Sequence, residues 1–278
     1  MTVRRTLPSR ERSLIGAWCF LDHFGPDMVD RTGGMKVAPH PHTGLQTVSW
    51  LFAGEIEHRD SAGHNAFVQP GEVNLMTAGR GISHSEVSTA ATRTLHGAQL
   101  WVALPEAARD TDPGFVHHAP APVTGPGWEV RVFLGSLLGD TSPVATATPL
   151  LGAEVLLEPG TALTLEVDPA FELGVLVDRG RVDVDGTTAE PHDLAYVPPA
   201  RDHLTLTSYD EPVRALLLGG PPFGESIVMW WNFVGRTHEE VVAFREQWQA
   251  QIVDGGLVDG HFGIPLGDAS PPIPAPPM

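Results

Sequence analysis

The chain has 278 residues, 42% hydrophobic, with 30 glycines and 26 prolines, a composition that fits a turn-rich globular protein and excludes a helical bundle or a disordered chain. Its formal net charge is -17, and Lys36 is the one lysine among 17 basic residues, so it lacks the electrostatic footprint of a nucleic-acid binder. There is no apolar run of membrane-spanning length, no secretory-signal pattern and no second cysteine to pair with Cys19, so a cytoplasmic protein without disulfides is expected.

Taken in order, the first 33 residues hold an arginine-rich strand candidate and then Trp18-Cys-Phe-Leu-Asp22-His23-Phe24-Gly-Pro, an early strand ending in a turn. His23 is a candidate for lining a metal cavity, with a hydrogen-bonded turn histidine as the alternative. Next come His40-Pro-His42 and, beyond a strand-like stretch, His84-Ser-Glu86. Side chains two apart on an extended strand point to one face, so each pair presents two ligand atoms to one cavity. Two antiparallel strands of one barrel would bring them together as three imidazoles and a carboxylate. That donor set suits one divalent transition metal per chain and leaves iron, manganese, nickel, copper and zinc open. An octahedral ion would keep two positions for water, oxygen or substrate.

Between the pairs, Leu45, Thr47, Ser49 and Leu51 alternate with Gln46, Val48, Trp50 and Phe52, the period of a strand. Further short strands separated by Gly and Pro turns predict an all-β barrel or double-sheet jelly roll. Leu95–Leu104 is another strand, and a proline-punctuated excursion follows to residue 127. From Trp128 the pattern restarts, which predicts two tandem barrels, residues 1–127 binding metal and residues 128–278 metal-free, since the second half has no His-x-His or His-x-Glu. The period changes at 237–250, where Thr237-x-x-Glu240 forms a capping box and Val241, Phe244 and Trp248 form an apolar stripe. This closing helix is expected to cover a sheet face. The proline-rich tail that ends the chain is expected to pack no core and to be extended or disordered.

These motifs resemble one family. Pro39-His-Pro-His42-Thr-Gly, His58-x-Asp60-Ser-x-Gly63-His64, Met76-Thr-Ala-Gly79-Arg-Gly81-Ile-x-His84-x-Glu86 and Gln99-Leu-Trp101-Val-x-Leu-Pro105 are similar to the pirin family, the two-domain branch of the cupin superfamily. The resemblance implies two tandem cupin jelly-roll barrels with a C-terminal helix, and one Fe²⁺-type metal in the first barrel held by His40, His42, His84 and Glu86. It also implies a quercetin 2,3-dioxygenase-type activity, in which O2 opens the central ring of a flavonol and releases carbon monoxide. Some family members instead bind a transcription factor or a metabolic enzyme according to iron oxidation state, so an iron-dependent binding module with a protein partner is the alternative. Gln46 stands where the general cupin pattern has a glutamate ligand, a position the pirin arrangement does not use.

On the enzyme reading Glu86 takes the substrate proton. Trp50, Phe52 and Met76 are candidate cavity walls, or else core. His58 and His64 are candidates for orienting the ligands, or else hydrogen-bonded strand-end residues.

Overall fold

The computed structural model describes residues 1–278. The first barrel is built from β1 (Val3–Leu7), β2 (Trp18–Met28), the single-turn α1 (Val29–Thr32), β3 (Lys36–His42), β4 (Leu45–Ala53), β5 (Ile56–Asp60), β6 (Asn65–Val68), β7 (Val73–Thr77), β8 (Ile82–Ser88), β9 (Thr94–Ala103) and β10 (Gly114–His118). A six-stranded sheet in the order β1-β2-β9-β4-β7-β10 faces a four-stranded sheet in the order β3-β8-β5-β6. Pro39 and Pro41 lie in β3 at the edge of the smaller sheet, where a missing N–H costs no ladder bond.

The layout then repeats. The second barrel comprises β11 (Val123–Gly125), β12 (Trp128–Leu134), a short hairpin β13 (Ser136–Leu137) and β14 (Asp140–Thr141), β15 (Leu151–Leu157), β16 (Ala162–Glu166), β17 (Glu172–Arg179), β18 (Val182–Val184), β19 (Thr187–Ala189), β20 (Leu194–Val197), β21 (His203–Ser208) and β22 (Val213–Gly220). Again a six-stranded sheet, β11-β12-β15-β22-β17-β20, faces a four-stranded one, β16-β21-β18-β19. The expected pair of tandem all-β cupin barrels is thus the observed architecture. The second barrel is filled with aliphatic side chains, among them Val132, Val155, Leu165, Val175, Leu204 and Leu217. No helix is long and apolar enough to cross a membrane.

The two larger sheets pack back to back. Val48, Trp50, Leu75 and Leu100 of the first meet Phe133, Leu176, Leu216 and Leu218 of the second in one buried cluster. Each such fully buried side chain contributes about 1.5–3 kcal/mol, so the inter-barrel seam is a core in its own right. Because strand side chains alternate, the other face of the same sheet points into the first barrel.

The chain finally returns to the first barrel through β23 (Val228–Trp230) and β24 (Phe233–Gly235), followed by α2 (His238–Ala250). Thr237 caps α2 by accepting the Glu240 N–H at 3.2 Å, as expected. Val241, Phe244 and Trp248 pack around Phe233 and Phe262, so the stripe covers the β23–β24 hairpin and not a barrel sheet directly. The hairpin docks where the Val234 N–H meets the Thr43 carbonyl at 3.0 Å. Gly44 makes this approach feasible, since a Cβ there would stand 2.1 Å from the Val234 oxygen.

The tail corrects its expectation. It is extended, but it is packed: Ala275 is buried with Trp248, the Trp248 indole donates to the Ile273 carbonyl at 2.8 Å, and the Ile273 N–H donates to the Pro39 carbonyl at 2.8 Å. α2 and β3 supply the hydrogen-bond partners that a proline-rich segment cannot find within itself.

Candidate metal centre

β3 and β8 are antiparallel neighbours, with His40 opposite His84 and His42 opposite Ile82. The two turns that follow and precede these histidines are joined, since the Gly44 N–H donates to the Gly79 carbonyl at 2.8 Å. His40, His42 and His84 are all buried, and their ring nitrogens lie within 4.8 Å of one another. Glu86 closes within the same limit on His84 and His58, as a second trio sharing His84.

The ring tautomers follow from the hydrogen bonds. His40 Nδ1 donates to the Ala38 carbonyl at 2.9 Å, which leaves its Nε2 lone pair free. His84 Nδ1 lies 3.3 Å from His58 Nδ1, and His58 Nε2 lies 3.3 Å from Asp60 Oδ2. A carboxylate can only accept, so His58 donates Nε2–H to Asp60, accepts Nδ1–H from His84, and His84 Nε2 is left as a lone pair. β5 places these partners, with His58 opposite Glu86 and Asp60 opposite His84. Asp60 is anchored in turn by the N–H groups of Ala62 and His64 at 2.9 and 3.0 Å. His64 also rests its Nδ1 on Asp60 at 3.0 Å, one residue further from the histidine cluster.

Burial pushes His40 down to about 4, opposed by the Ala38 carbonyl and reinforced by His58. It lowers His42 and His84 as well, with the neighbouring imidazoles adding to the effect. The Asn232 carbonyl opposes the shift of His42 while lying outside hydrogen-bond geometry with its Nδ1. Burial raises Glu86, opposed by the neighbouring His58 imidazole and a hydrogen bond with Ser49. The cluster therefore offers neutral imidazoles and a basic carboxylate. His42 Nε2 and His84 Nε2 stand 3.0 Å apart. Two nitrogens at about 2.1 Å from one ion in adjacent octahedral positions would be separated by about 3 Å, so the donor set fits a divalent metal.

A cavity of about 600 Å³ adjoins the cluster. Phe20 and Trp101 stack at 3.9 Å between ring centroids on one wall, with Trp101 edge-on to His42 at 5.1 Å. Arg5 forks onto Asp22 at 2.8 and 2.9 Å near the mouth, and Trp230, Trp231 and Asn232 reach in from the β23–β24 turn. Ser49 links Glu86 Oε1 at 3.4 Å to Gln99 Oε1 at 3.0 Å.

Strand parity corrects several expected wall residues. Trp50 stacks on Phe133 in the seam between barrels, and Phe52 packs against His96 there. Gln46 shares their phase on β4 and donates to Thr77 Oγ1 at 2.9 Å, away from the metal cluster. His23 likewise faces the second barrel, with its Nε2 2.8 Å from Asp178. Its neighbours Asp22 and Phe24 line the cavity instead. Met76 points inward but packs with Ile82 and Trp101 beside the cavity. The missed residues Ser49, Gln99 and Phe20 carry a signal in strand alternation, whereas nothing local links residues 230–232 to this site.

Comparison with known proteins accords with this geometry. The Pirin model matches residues 1–102, and the Pirin C-terminal cupin domain model matches residues 152–253. The chain is 45% identical over 275 residues to the Pseudomonas aeruginosa protein named "Putative quercetin 2,3-dioxygenase", covering 99% of this chain and 86% of the relative. It is 36% identical over 274 residues to a pirin-like protein of Caulobacter vibrioides, covering 95% of this chain and 93% of the relative. A crystal structure of quercetin 2,3-dioxygenase from Acinetobacter baumannii superposes with a TM-score of 0.92 at 38% identity, over 99% of this chain and 90% of that one. With both of its barrels matched and the histidine cluster in the first, the chain belongs to the pirin family.

Proposed function

We propose that this protein is a metal-dependent dioxygenase that cleaves a flavonol-like aromatic substrate with O2, of the quercetin 2,3-dioxygenase type borne in name by its relatives. The observation that carries the reading is the aromatic-walled cavity of about 600 Å³ beside the three histidines. A pure binding module would call for a sealed site; this one has room for a flat ligand. His40, His42, His84 and Glu86 are the proposed ligands, with Fe²⁺ the first candidate among the metals the donor set accepts. A divalent ion held there supplies Lewis acidity and couples electron transfer between substrate and oxygen.

The remaining steps belong to the chain. Phe20 and Trp101 present a stacked aromatic face that orients the substrate beside His42. Glu86, a carboxylate at the cluster and a weakly held ligand, takes the proton of the flavonol 3-hydroxyl. When Glu86 is ionised, Ser49 donates to it; once protonated, Glu86 donates to Ser49, whose own proton turns to Gln99 Oε1. That exchange holds the proton without exposing it to water. Trp230 and Trp231 add apolar wall to the cavity.

The division at 127/128 and a reducing, cytoplasmic setting for the single buried Cys19 complete the proposal. The test is anaerobic loading with Fe²⁺, then quercetin and O2, following flavonol absorbance and carbon monoxide. Turnover that His84→Ala abolishes supports the assignment, and no turnover from protein carrying iron overturns it.

A further inference from the structure

The seam between the barrels holds a second convergence of ligand-type side chains, independent of the first. His23 from β2, His96 from β9 and Asp178 from β17 bring Nε2, Nε2 and Oδ1 together: each nitrogen lies 2.8 or 2.6 Å from the oxygen, and the nitrogens lie 3.3 Å apart. The side chains of His23 and Asp178 are 0% and 1% exposed and that of His96 is 13% exposed. We propose that these three residues form a second divalent-metal site, a two-histidine, one-carboxylate clasp that ties the two barrels together.

Four observations carry this. The first is crowding on one oxygen. Both Nε2 atoms converge on Asp178 Oδ1 while standing only 3.3 Å apart, so two N–H protons directed at that oxygen lie close together, and if either imidazole does not donate, a buried lone pair faces the carboxylate. A cation between the three atoms removes the conflict, because both nitrogens then act as lone-pair donors. Separations would open toward about 3.3 Å, the edge of a tetrahedron with bonds near 2.0 Å.

The second is the partner of His23. His192 lies with its Nδ1 3.3 Å from His23 Nδ1, where it can accept the Nδ1–H that a metal-bound His23 would carry. His192 is held there on a left-handed backbone, φ 81°, a conformation disfavoured for a non-glycine residue.

The third is spare donor capacity. Asp178 Oδ2 is buried and has no hydrogen-bond partner, with Arg214 Nη1 standing off at 3.5 Å. The fourth is charge. Arg214 is shared between Asp178 and Glu154, and Arg131, which also approaches Glu154, is engaged by Glu129. With Arg4 acting on His192 from the other side, the carboxylates Asp178, Glu154 and Glu129 balance the three guanidinium groups, so no net positive charge stands against a cation. A cleft of about 360 Å³ bounded by Phe52, Glu154 and Arg214 lies alongside.

Intermediate ligand types of this kind favour Zn²⁺ or Fe²⁺ over the oxygen-seeking Mg²⁺ or Ca²⁺. Zn²⁺ is the probe. Full-length protein carrying His40→Ala and His84→Ala, which disables the first centre, is stripped, loaded with Zn²⁺, desalted and assayed for bound metal. The expected result is one Zn²⁺ per chain, lost when His96→Gln is added, together with a Zn²⁺-induced rise in melting temperature that His96→Gln also removes. Glutamine keeps an N–H for Asp178, so the added substitution preserves the seam while deleting the ligand. Should the double variant fail to fold, the same measurement on the unmodified protein and on His96→Gln reads two equivalents against one. No bound Zn²⁺ in the first-centre variant, or Zn²⁺ indifferent to His96→Gln, overturns the proposal. None of these readouts depends on flavonol turnover.

Discussion

Asp60 is predicted to decide which nitrogen of His84 faces the metal, and Asp60→Asn should reverse that decision. Asp60 Oδ1 accepts the N–H groups of Ala62 and His64 at 2.9 and 3.0 Å. An asparagine must keep its oxygen there, because its NH2 group would oppose two donors. Its nitrogen then occupies the Oδ2 position, 3.3 Å from His58 Nε2, and donates to it. His58 must carry its proton on Nδ1 and donate to His84 Nδ1, 3.3 Å away. His84 is driven to the Nε2–H tautomer, and the lone pair aimed at the metal is gone. Loss of an outer partner of a metal-bound histidine lowers affinity by about 10- to 100-fold, equivalent to about 1.4–2.7 kcal/mol. The metal-free variant should melt within about 4 °C of the parent, since hydrogen bonds are exchanged and not deleted. Competition of the protein with a chromophoric chelator for Zn²⁺, in the His96→Gln background, measures the affinity. A variant within threefold of its parent would refute the tautomer argument.

Other expectations follow from the same geometry. Glu86→Gln removes the proton acceptor beside Ser49 and should lower kcat for flavonol loss by about 10²- to 10⁴-fold; a metal-loaded variant that keeps a fifth of the activity would remove Glu86 from that role. Metal-free protein should lose stability on acidification, because burial pushes His40 down to about 4 when folded, against 6.5 for an unburied imidazole. The unfolded chain takes the proton first, so the stability present above pH 6.5 is lost on the way to pH 4, by roughly 3 kcal/mol for this residue. Denaturant unfolding of chelated protein and of His40→Gln across that range checks it, and parallel pH slopes would refute it. Trp248→Ala empties a fully buried site between α2, Phe262 and the tail. It should cost about 3–5 kcal/mol by denaturant unfolding, and a loss below 1 kcal/mol would show that the C-terminal clasp is dispensable.

The repeat of short strands, the restart at Trp128, the capped helix after Thr237 and the spacing of His40/His42 and His84/Glu86 were legible in the sequence alone. These are local properties: turn chemistry, period and spacing act within a few residues, and a strand forces positions two apart onto one face whatever surrounds them. Tertiary structure decided which face was which. Alternation separates Gln46, Trp50 and Phe52 from Ser49 but does not say which set meets the other barrel, and that choice rests on the burial of the seam cluster around Phe133 and Leu218. The same one-residue parity sent His23 to Asp178 and Phe24 to the cavity. Longer separations were beyond reach altogether. Trp230 to Asn232 arrive beside His42 only because the chain folds back over the first barrel, and the tail finds order only where Trp248 and Pro39 offer partners. Nothing in the spacing of His23, His96 and Asp178 hints that they meet. Back-to-back packing of two sheets, driven by apolar area and indifferent to sequence distance, brings them together.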